Sequence, residues 1–318
     1  MRKILGIVLV IFILALGAAW LKLRGPDIPF ETLEAKYALP ASHFVDLPGG
    51  YHVHYREAGD PHLPLLVLLH GFADSFTTWE GWVRELSPKY HIISLDFPGH
   101  GLTRAPADTL LGGERLADFV DAFAAKLDLP KFAVAGNSMG GGAAWELAVR
   151  HPERVDALIL VDAGGFPNDK PSPDEPLAFK ILRYRLGRII LSKLDNRPLI
   201  DQGLKADVYD KTLVTPFIVD RFAEFQRAPG HRLILMGVNV RPQSVSTAQL
   251  LAAVKVPTLI LWGESDPLIE PAAAGKFAAA IPGSKVIMYP HVGHLPQFEI
   301  PQRSAADVAE FLGSAPGS

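Results

Sequence analysis

The chain has 318 residues, 48% of them apolar, so it can bury one large core or two smaller ones. Its formal net charge of −3 at pH 7 offers no basic field for nucleic acid. It has no cysteine, which excludes disulfides and thiolate chemistry.

Residues 4–21 form an unbroken apolar run, with Arg2 and Lys3 before it and Lys22 and Arg24 after it. A helix of about 17–25 such residues spans a bilayer, and the run exceeds the roughly 7–15 residues of a signal-peptide apolar region. Residues 1–23 therefore read as an N-terminal single-pass anchor. The alternative is secretion after cleavage near Gly17-Ala18-Ala19. Arg2, Lys3 and the free amino group favour a cytoplasmic N-terminus, with the body on the extracytoplasmic, periplasmic side. Residues 24–40 carry Pro26, Pro29 and Pro40 and read as a linker.

Residues 43–47 and 51–57, separated by Pro48-Gly49-Gly50, predict a β-hairpin. Residues 63–69 are continuously apolar and too few for a helix, as in a strand covered on both faces; they end in His70-Gly71-Phe72. A helical pattern over 77–86 precedes a second such strand at 91–95, closed by Asp96-Phe97-Pro98-Gly99-His100-Gly101. Leu116, Phe119, Val120, Phe123 and Leu127 make one helical stripe over 114–127. A strand at 131–135 then runs through Gly136-Asn137-Ser138-Met139-Gly140 into a helix ending near Arg150, and a strand at 157–161 ends in Asp162. This alternation predicts an α/β fold: a mostly parallel sheet of eight strands with helices on both faces.

The rhythm breaks after Gly165, where Pro167, Pro171, Pro173 and Pro176 cluster. Residues 166–249 are helical in pattern and read as an inserted cap, leaving 41–165 and 250–314 as the core. The βα order resumes with a strand at 258–262 and Gly263-Glu264-Ser265-Asp266. A helix at 271–280, a strand at 285–289, His294 and a last helix at 301–312 complete it. Trp79, Trp145 and Trp262 read as core residues.

In open α/β sheets, reacting groups gather beyond the carboxyl ends of the strands. Gly71-Phe72, Ser138, Asp266 and His294 all fall at such ends. The Gly-x-Ser-x-Gly frame holds a serine on a strained strand-to-helix turn, with its hydroxyl clear of the sheet. A serine hydroxyl needs an imidazole to take its proton, and that imidazole needs a carboxylate to fix its tautomer. Ser138, His294 and Asp266 fit those roles in the chain order Ser, Asp, His. The backbone N–H groups of Phe72 and Met139 are placed to stabilise an oxyanion. Asp162 is a rival carboxylate, and His291 a rival base. No metal-ligand spacing stands out among the histidines and carboxylates.

These motifs in this order resemble the α/β-hydrolases of the capped serine esterase and lipase group. The matching residues are His70-Gly71-Phe72, Asp96 to Gly101, Gly136 to Gly141, Gly263-Glu264-Ser265-Asp266-Pro267 and Gly293-His294. The resemblance implies a Ser-His-Asp triad, a helical lid and no cofactor. It also makes His70 a structural residue beside the oxyanion loop and favours the Gly293-His294 pair over His291. With an anchor ahead of the fold, the chain is further similar to membrane-bound monoacylglycerol lipases and some bacterial lipases.

The expected activity is hydrolysis of carboxylic esters with apolar or lipid-like acyl groups. Carbon-carbon bond or amide hydrolysis by the same triad is the alternative, and a tethered binding protein without activity a third. One cap stretch also suggests a membrane contact. On helical spacing Phe179, Leu182, Leu186, Ile189 and Ile190 form a stripe, while Lys180, Arg185 and Arg188 lie on other faces. The simpler reading of that stripe is a helix packed on the core.

Overall fold

The computed structural model describes residues 14, 17, 20, 21, 23–168, 176–237 and 247–314. Most of the expected anchor, 4–21, lies outside the described residues, and so do 169–175 and 238–246 of the expected cap. Among the described residues no helix is long and apolar enough to cross a membrane.

The eight strands are β1 (Ser42–Leu47), β2 (Tyr51–Ala58), β3 (Leu65–Leu69), β4 (His91–Leu95), β5 (Phe132–Asn137), β6 (Val155–Val161), β7 (Thr258–Gly263) and β8 (Lys285–Tyr289). They form one sheet in the order β1-β2-β4-β3-β5-β6-β7-β8. β1 pairs antiparallel with β2, and β2 with β4; every later pairing is parallel. The continuous apolar runs of β3 and β5 are buried from end to end. This is what two covering helical layers require of central strands.

One layer packs α3 (Gly113–Lys126) and α4 (Met139–Arg150) on the sheet, with Phe123, Trp145, Trp262 and Phe277 in the shared core. The opposite layer packs α2 (Glu80–Leu86) and α13 (Pro301–Ser314), where Trp79, Trp82, Val308 and Phe311 meet Leu66, Ile159 and Leu261. Trp79, Trp145 and Trp262 are core residues, as expected.

Within the proline-bearing stretch 24–40 the structure forms a helix that the sequence pattern did not announce, α1 (Phe30–Tyr37). Its stripe Phe30, Leu33 and Tyr37 packs on Phe76, Leu102 and Phe225, so this stretch belongs to the folded body. Only three of its eight side chains are buried, too weak a signal to read in advance.

Between β6 and β7 the chain forms α5 (Leu177–Leu182), α6 (Arg185–Leu191), α7 (Arg197–Asp207), α8 (Pro216–Gln226), α9 (His231–Met236) and α10 (Thr247–Leu251). The stripe expected on one helix is split between α5 and α6. The two pack so closely that a Cβ on Gly187 would overlap the Ile181 carbonyl. Leu182 is buried and Phe179 half-buried, whereas Leu186, Ile189 and Ile190 are exposed, so the stripe does not pack on the core as one face. The remaining helices are α11 (Ala272–Ala280) and α12 (Pro296–Glu299).

Because α1 is packed, truncating its fully buried side chain should destabilise the whole body. We expect Leu33→Ala to cost about 2–5 kcal/mol. The measurement is the urea midpoint, which should fall while the slope of the transition stays at the wild-type value.

Candidate active site

The site is built at the carboxyl ends of β3, β5, β6 and β7. Ser138 joins β5 to α4 with φ 54° and ψ −116°, a backbone conformation that a non-glycine residue holds only when its surroundings enforce it. The enforcement is visible around it. The Ser138 N–H donates to Val161 O at 3.1 Å, and its carbonyl accepts from Gly142 and Gly164 at 3.0 and 2.8 Å. A Cβ on Gly136 would overlap the Gly140 carbonyl, and one on Gly140 would overlap Leu69 O. Only glycine lets strand and helix approach this closely.

The loop after β3 lies directly against this turn. A Cβ on Gly71 would stand 3.1 Å from Asn137 Oδ1 and 3.3 Å from Ser138 Cβ. Two buried neutral imidazoles hold the loop. His70 Nδ1 donates to Gly71 O at 2.7 Å while its Nε2 accepts the Phe97 N–H at 3.0 Å. His100 Nδ1 donates to Pro98 O at 2.9 Å while its Nε2 accepts the Ala73 N–H at 3.0 Å. Each ring needs one protonated and one bare nitrogen for this. Burial, the first cause in both, lowers their pKa values and keeps them neutral. His70 therefore braces the loop, as the resemblance implied. Asp96 braces the next turn, its carboxylate accepting from Phe76 N at 2.7 Å, Leu102 N at 2.9 Å and His54 Nδ1 at 2.7 Å.

Phe72 and Met139 flank Ser138 from the loop and the helix. The Met139 N–H is the first of α4, one of the N-terminal groups without an intrahelical acceptor.

The buried imidazole of His294 donates from Nδ1 to Asp266 Oδ2 at 2.7 Å. The other oxygen of Asp266 accepts from Leu268 N at 2.7 Å and Ile269 N at 3.1 Å. Burial disfavours the imidazolium, but the charge and hydrogen bond of Asp266, aided by Asp207 and Glu299, outweigh it and hold His294 above its ordinary value. Asn137 ties this loop to the turn, its Nδ2 donating to His294 O at 3.0 Å and Val161 O at 3.1 Å. The buried Nε2 of His294 has no hydrogen-bond partner among the described residues.

Of the rivals, Asp162 pairs elsewhere: its Oδ1 accepts the Gly263 N–H at 2.9 Å. Burial and then the charge of Asp266 raise its pKa well above its ordinary value. His291 is exposed and rests on the Tyr209 ring, 5.1 Å between centroids. Among the described residues Asp162, Asp266 and His294 form a close cluster of potential ligand atoms. The hydrogen bonds just described already occupy an oxygen of each aspartate and the His294 Nδ1.

Next to the loop after β3 lies an apolar cleft walled by Phe72, Phe179, Leu182, Leu204 and Phe222. Asp207, the last residue of α7, also lines it. Its main-chain oxygen accepts the His294 N–H at 2.7 Å. Neither Asp207 nor Asn137 was singled out from the sequence. Asn137 sits inside the serine motif and could have been, but Asp207 lies in an ordinary amphipathic stretch that nothing local distinguishes.

Residues 64–186 and 186–301 match the family model described as the alpha/beta hydrolase fold. The chain is 28% identical over 276 residues to human monoacylglycerol lipase ABHD6, covering 83% of this chain and 80% of that one. It is also 28% identical over 264 residues to 2-hydroxy-6-oxononadienedioate/2-hydroxy-6-oxononatrienedioate hydrolase of Comamonas testosteroni, covering 78% and 87%. The crystal structure of a membrane phospholipase A, a bacterial virulence factor, superposes with a TM-score of 0.76 and 23% identity over 100% of both chains, a likeness of fold.

Two buried carboxyls beside the site, Asp74 and Asp207, are pushed up to about 7, in each case first by burial. A carboxyl raised in the folded state contributes stability that is full below about pH 4 and is lost as the pH rises through about 7. Stability should therefore fall between pH 5 and pH 8. Asp74→Asn with Asp207→Asn should fall less over the same interval, read as the shift in urea midpoint.

Proposed function

The chain belongs to the α/β-hydrolase fold family, and on that premise we propose that it hydrolyses carboxylic esters of apolar, lipid-like acids through an acyl-serine intermediate. Ser138 Oγ attacks the ester carbon as His294 Nε2 takes its proton. Asp266 holds the imidazole in the required tautomer and stabilises the imidazolium. The N–H groups of Phe72 and Met139 receive the oxyanion, where loss of one donor costs about 10²–10³ in turnover. His294 then gives its proton to the departing alcohol, and water repeats the sequence to release the acid. None of these steps calls on a cofactor.

The observation that carries this reading is a buried imidazole whose Nδ1 is paired with Asp266 and whose Nε2 has no partner among the described residues, on a loop that Asn137 ties to the strained turn of Ser138. The apolar cleft supports an acyl chain as the group bound next to it. The same cleft argues against the carbon-carbon substrates named for the Comamonas relative, which are dianions. Among the described residues lining it there is no lysine or arginine, and Asp207 adds an acidic group. A binding protein without activity is disfavoured because every member of the triad is present.

The substrate is proposed to come from a membrane. Residues 4–21 are long and apolar enough by sequence to serve as the N-terminal anchor, with the catalytic body on the periplasmic side. The chain leaves that run beside α6: Gly25 N donates to Lys193 O at 3.0 Å and Asp195 N to Leu23 O at 2.8 Å. Tyr184, Leu186, Ile189 and Ile190 are exposed there at 70, 67, 51 and 45%, with the exposed Trp20, Leu21 and Leu23 nearby in sequence to the junction. An apolar face with Lys180 and Arg185 about it suits an anionic lipid surface.

Three measurements test these readings. Ser138→Ala should abolish both fluorophosphonate labelling and hydrolysis of a chromogenic ester series of rising chain length, while a dienedioate ketone should not be cleaved by wild type. Persistent labelling in the variant would remove Ser138 from its role. For wild type, kcat/KM should rise with pH through an apparent pKa above the ordinary imidazole value, because the base must be neutral. Asp266→Asn should lower that pKa and cut kcat by about 10⁴. Finally, a form lacking residues 1–23 should bind phosphatidylglycerol vesicles, and Lys180→Glu with Arg185→Glu should weaken this by about tenfold or more. Equal binding by the two forms would exclude the lipid-facing role of α5 and α6.

A further inference from the structure

Glu299, the last residue of α12, joins two segments that meet beside the His294 imidazole. Its Oε1 accepts the Gly293 N–H at 2.8 Å, and its Oε2 accepts the Tyr209 N–H at 2.7 Å. Gly293 immediately precedes His294, whereas Tyr209 follows the end of α7, 90 residues before Glu299 in the chain. The two segments also touch directly. The His294 N–H donates to Asp207 O at 2.7 Å, and the Tyr209 ring rests on that of His291. A Cβ on Gly293 would overlap the Asp207 oxygen and stand 3.0 Å from Glu299 Oε1, so the packing around the clamp is tight.

The helix that carries Glu299 is itself fixed to the core. The buried Gln297 donates from Nε2 to Thr78 Oγ1 at 3.1 Å, and the buried Ser304 Oγ lies 3.1 Å from Pro296 O. A carboxylate is acceptor-only with two oxygens, so one side chain can hold two main-chain donors at once. Burial, the first cause, raises the Glu299 pKa, and the N–H groups of Tyr209, Gly293, Asp210 and Leu295 oppose that rise by favouring the charged form. Resting on the reading of His294 as the base of ester hydrolysis, we propose that Glu299 is a positioning residue. It clamps the His294 loop and the end of α7 in one register, so that the imidazole keeps its reacting place only while that inserted helix is seated.

The clamp acts by geometry and by charge, and the two are separable. Charged and titratable groups face His294 from four elements: Asp162 after β6, Asp266 after β7, Asp207 on α7 and Glu299 on α12, with Asp74 on the loop after β3 acting on Asp207. Against burial, the first influence on His294, the charges of Asp266, Asp207 and Glu299 hold it above its ordinary value. Removing the Glu299 charge alone should therefore lower it.

The test uses the full-length protein in detergent with p-nitrophenyl butyrate. Each rate is divided by the number of serines that take a fluorophosphonate label at saturation, so unfolded molecules do not count. Glu299→Gln loses the charge and turns an amide donor towards one of the two N–H groups. It should lower kcat about tenfold or more with KM within about threefold, and move the pH profile of kcat/KM down by about half a pH unit or more. Glu299→Asp keeps the charge but is too short to span both N–H groups, so kcat should fall similarly while the pH profile stays at the wild-type position. In Glu299→Gln, amide hydrogen exchange should quicken together in residues 204–212 and 290–296 and not in β3 to β6. Quickening in only one of those segments would overturn the clamp. So would a wild-type kcat and pH profile per labelled serine in Glu299→Gln, including the case in which fewer molecules take the label, since that reports a structural role alone. Wild type that takes no label and cleaves no ester would overturn the ester reading itself, an outcome distinct from any difference among the variants.

Discussion

The structure depends on one strained residue. Ser138 holds φ 54° because β5 must turn directly into α4 with no room for a wider bend, and the turn is closed by hydrogen bonds to the end of β6, to Gly164 just beyond it and to the first turn of α4. A non-glycine residue in that region costs of order 1–3 kcal/mol. The cost is offset by packing that no other sequence would allow, with Gly136, Gly140 and Gly141 each pressed against backbone or Ala163. What the strain secures is a serine at the amino end of a helix, at the carboxyl end of β5. The loop after β3, the Asp266 turn and the His294 loop are all arranged around that point.

Four imidazoles near the site show how environment alone divides the labour. His70 and His100 are buried among main-chain donors and acceptors, so burial keeps them neutral and each spends both nitrogens on holding the loop. His54 pairs with Asp96 and belongs to the scaffold of the next turn. His294 is just as buried, yet its Nδ1 faces a carboxylate and its Nε2 has no hydrogen-bond partner among the described residues. Burial pushes it towards neutrality and Asp266 pulls it back, which is the balance a base must strike if it is to take a proton and later return it. Asp162 lies close to Asp266 and accepts the Gly263 N–H, while the Asp266 carboxylate is the one that accepts from His294 Nδ1.

Much of this was legible in the sequence, for physical reasons. Continuous apolar runs bounded by turn residues announced β3, β4 and β5, because central parallel strands have no polar face. The serine turn was legible because close backbone approach demands glycine at fixed offsets. That Asp266 and His294 belong together was legible because each follows a strand, and the structure joins them by a hydrogen bond. What the sequence hid was of another kind. Helix α1 has only three buried side chains among its eight. The stripe from Phe179 to Ile190 keeps helical spacing across a break, so periodicity alone could not show that its first half lines a cleft and its second half faces outward. Asp207 was hidden because its importance comes from a contact with His294, 87 residues on in sequence by number, made through main-chain atoms that carry no residue signature.

The inserted helices are fastened to the core unequally, and the inequality has a direction. Helix α7 is held through the Asp207 carbonyl on the His294 amide and through a cluster in which Leu204 and Val208 pack with Leu295. Displacing it would disturb the imidazole. Helices α5 and α6 meet the core by contacts such as that of Phe179 with Phe72, ring centroids 6.0 Å apart, and meet the N-terminal segment through main-chain bonds at Gly25 and Asp195. The wall of the cleft that bears the exposed apolar face is thus anchored to the segment leading from residues 4–21, while the opposite wall is anchored to the His294 loop. A fold that ties one wall to the N-terminal segment and the other to that loop can adjust the first without moving the second.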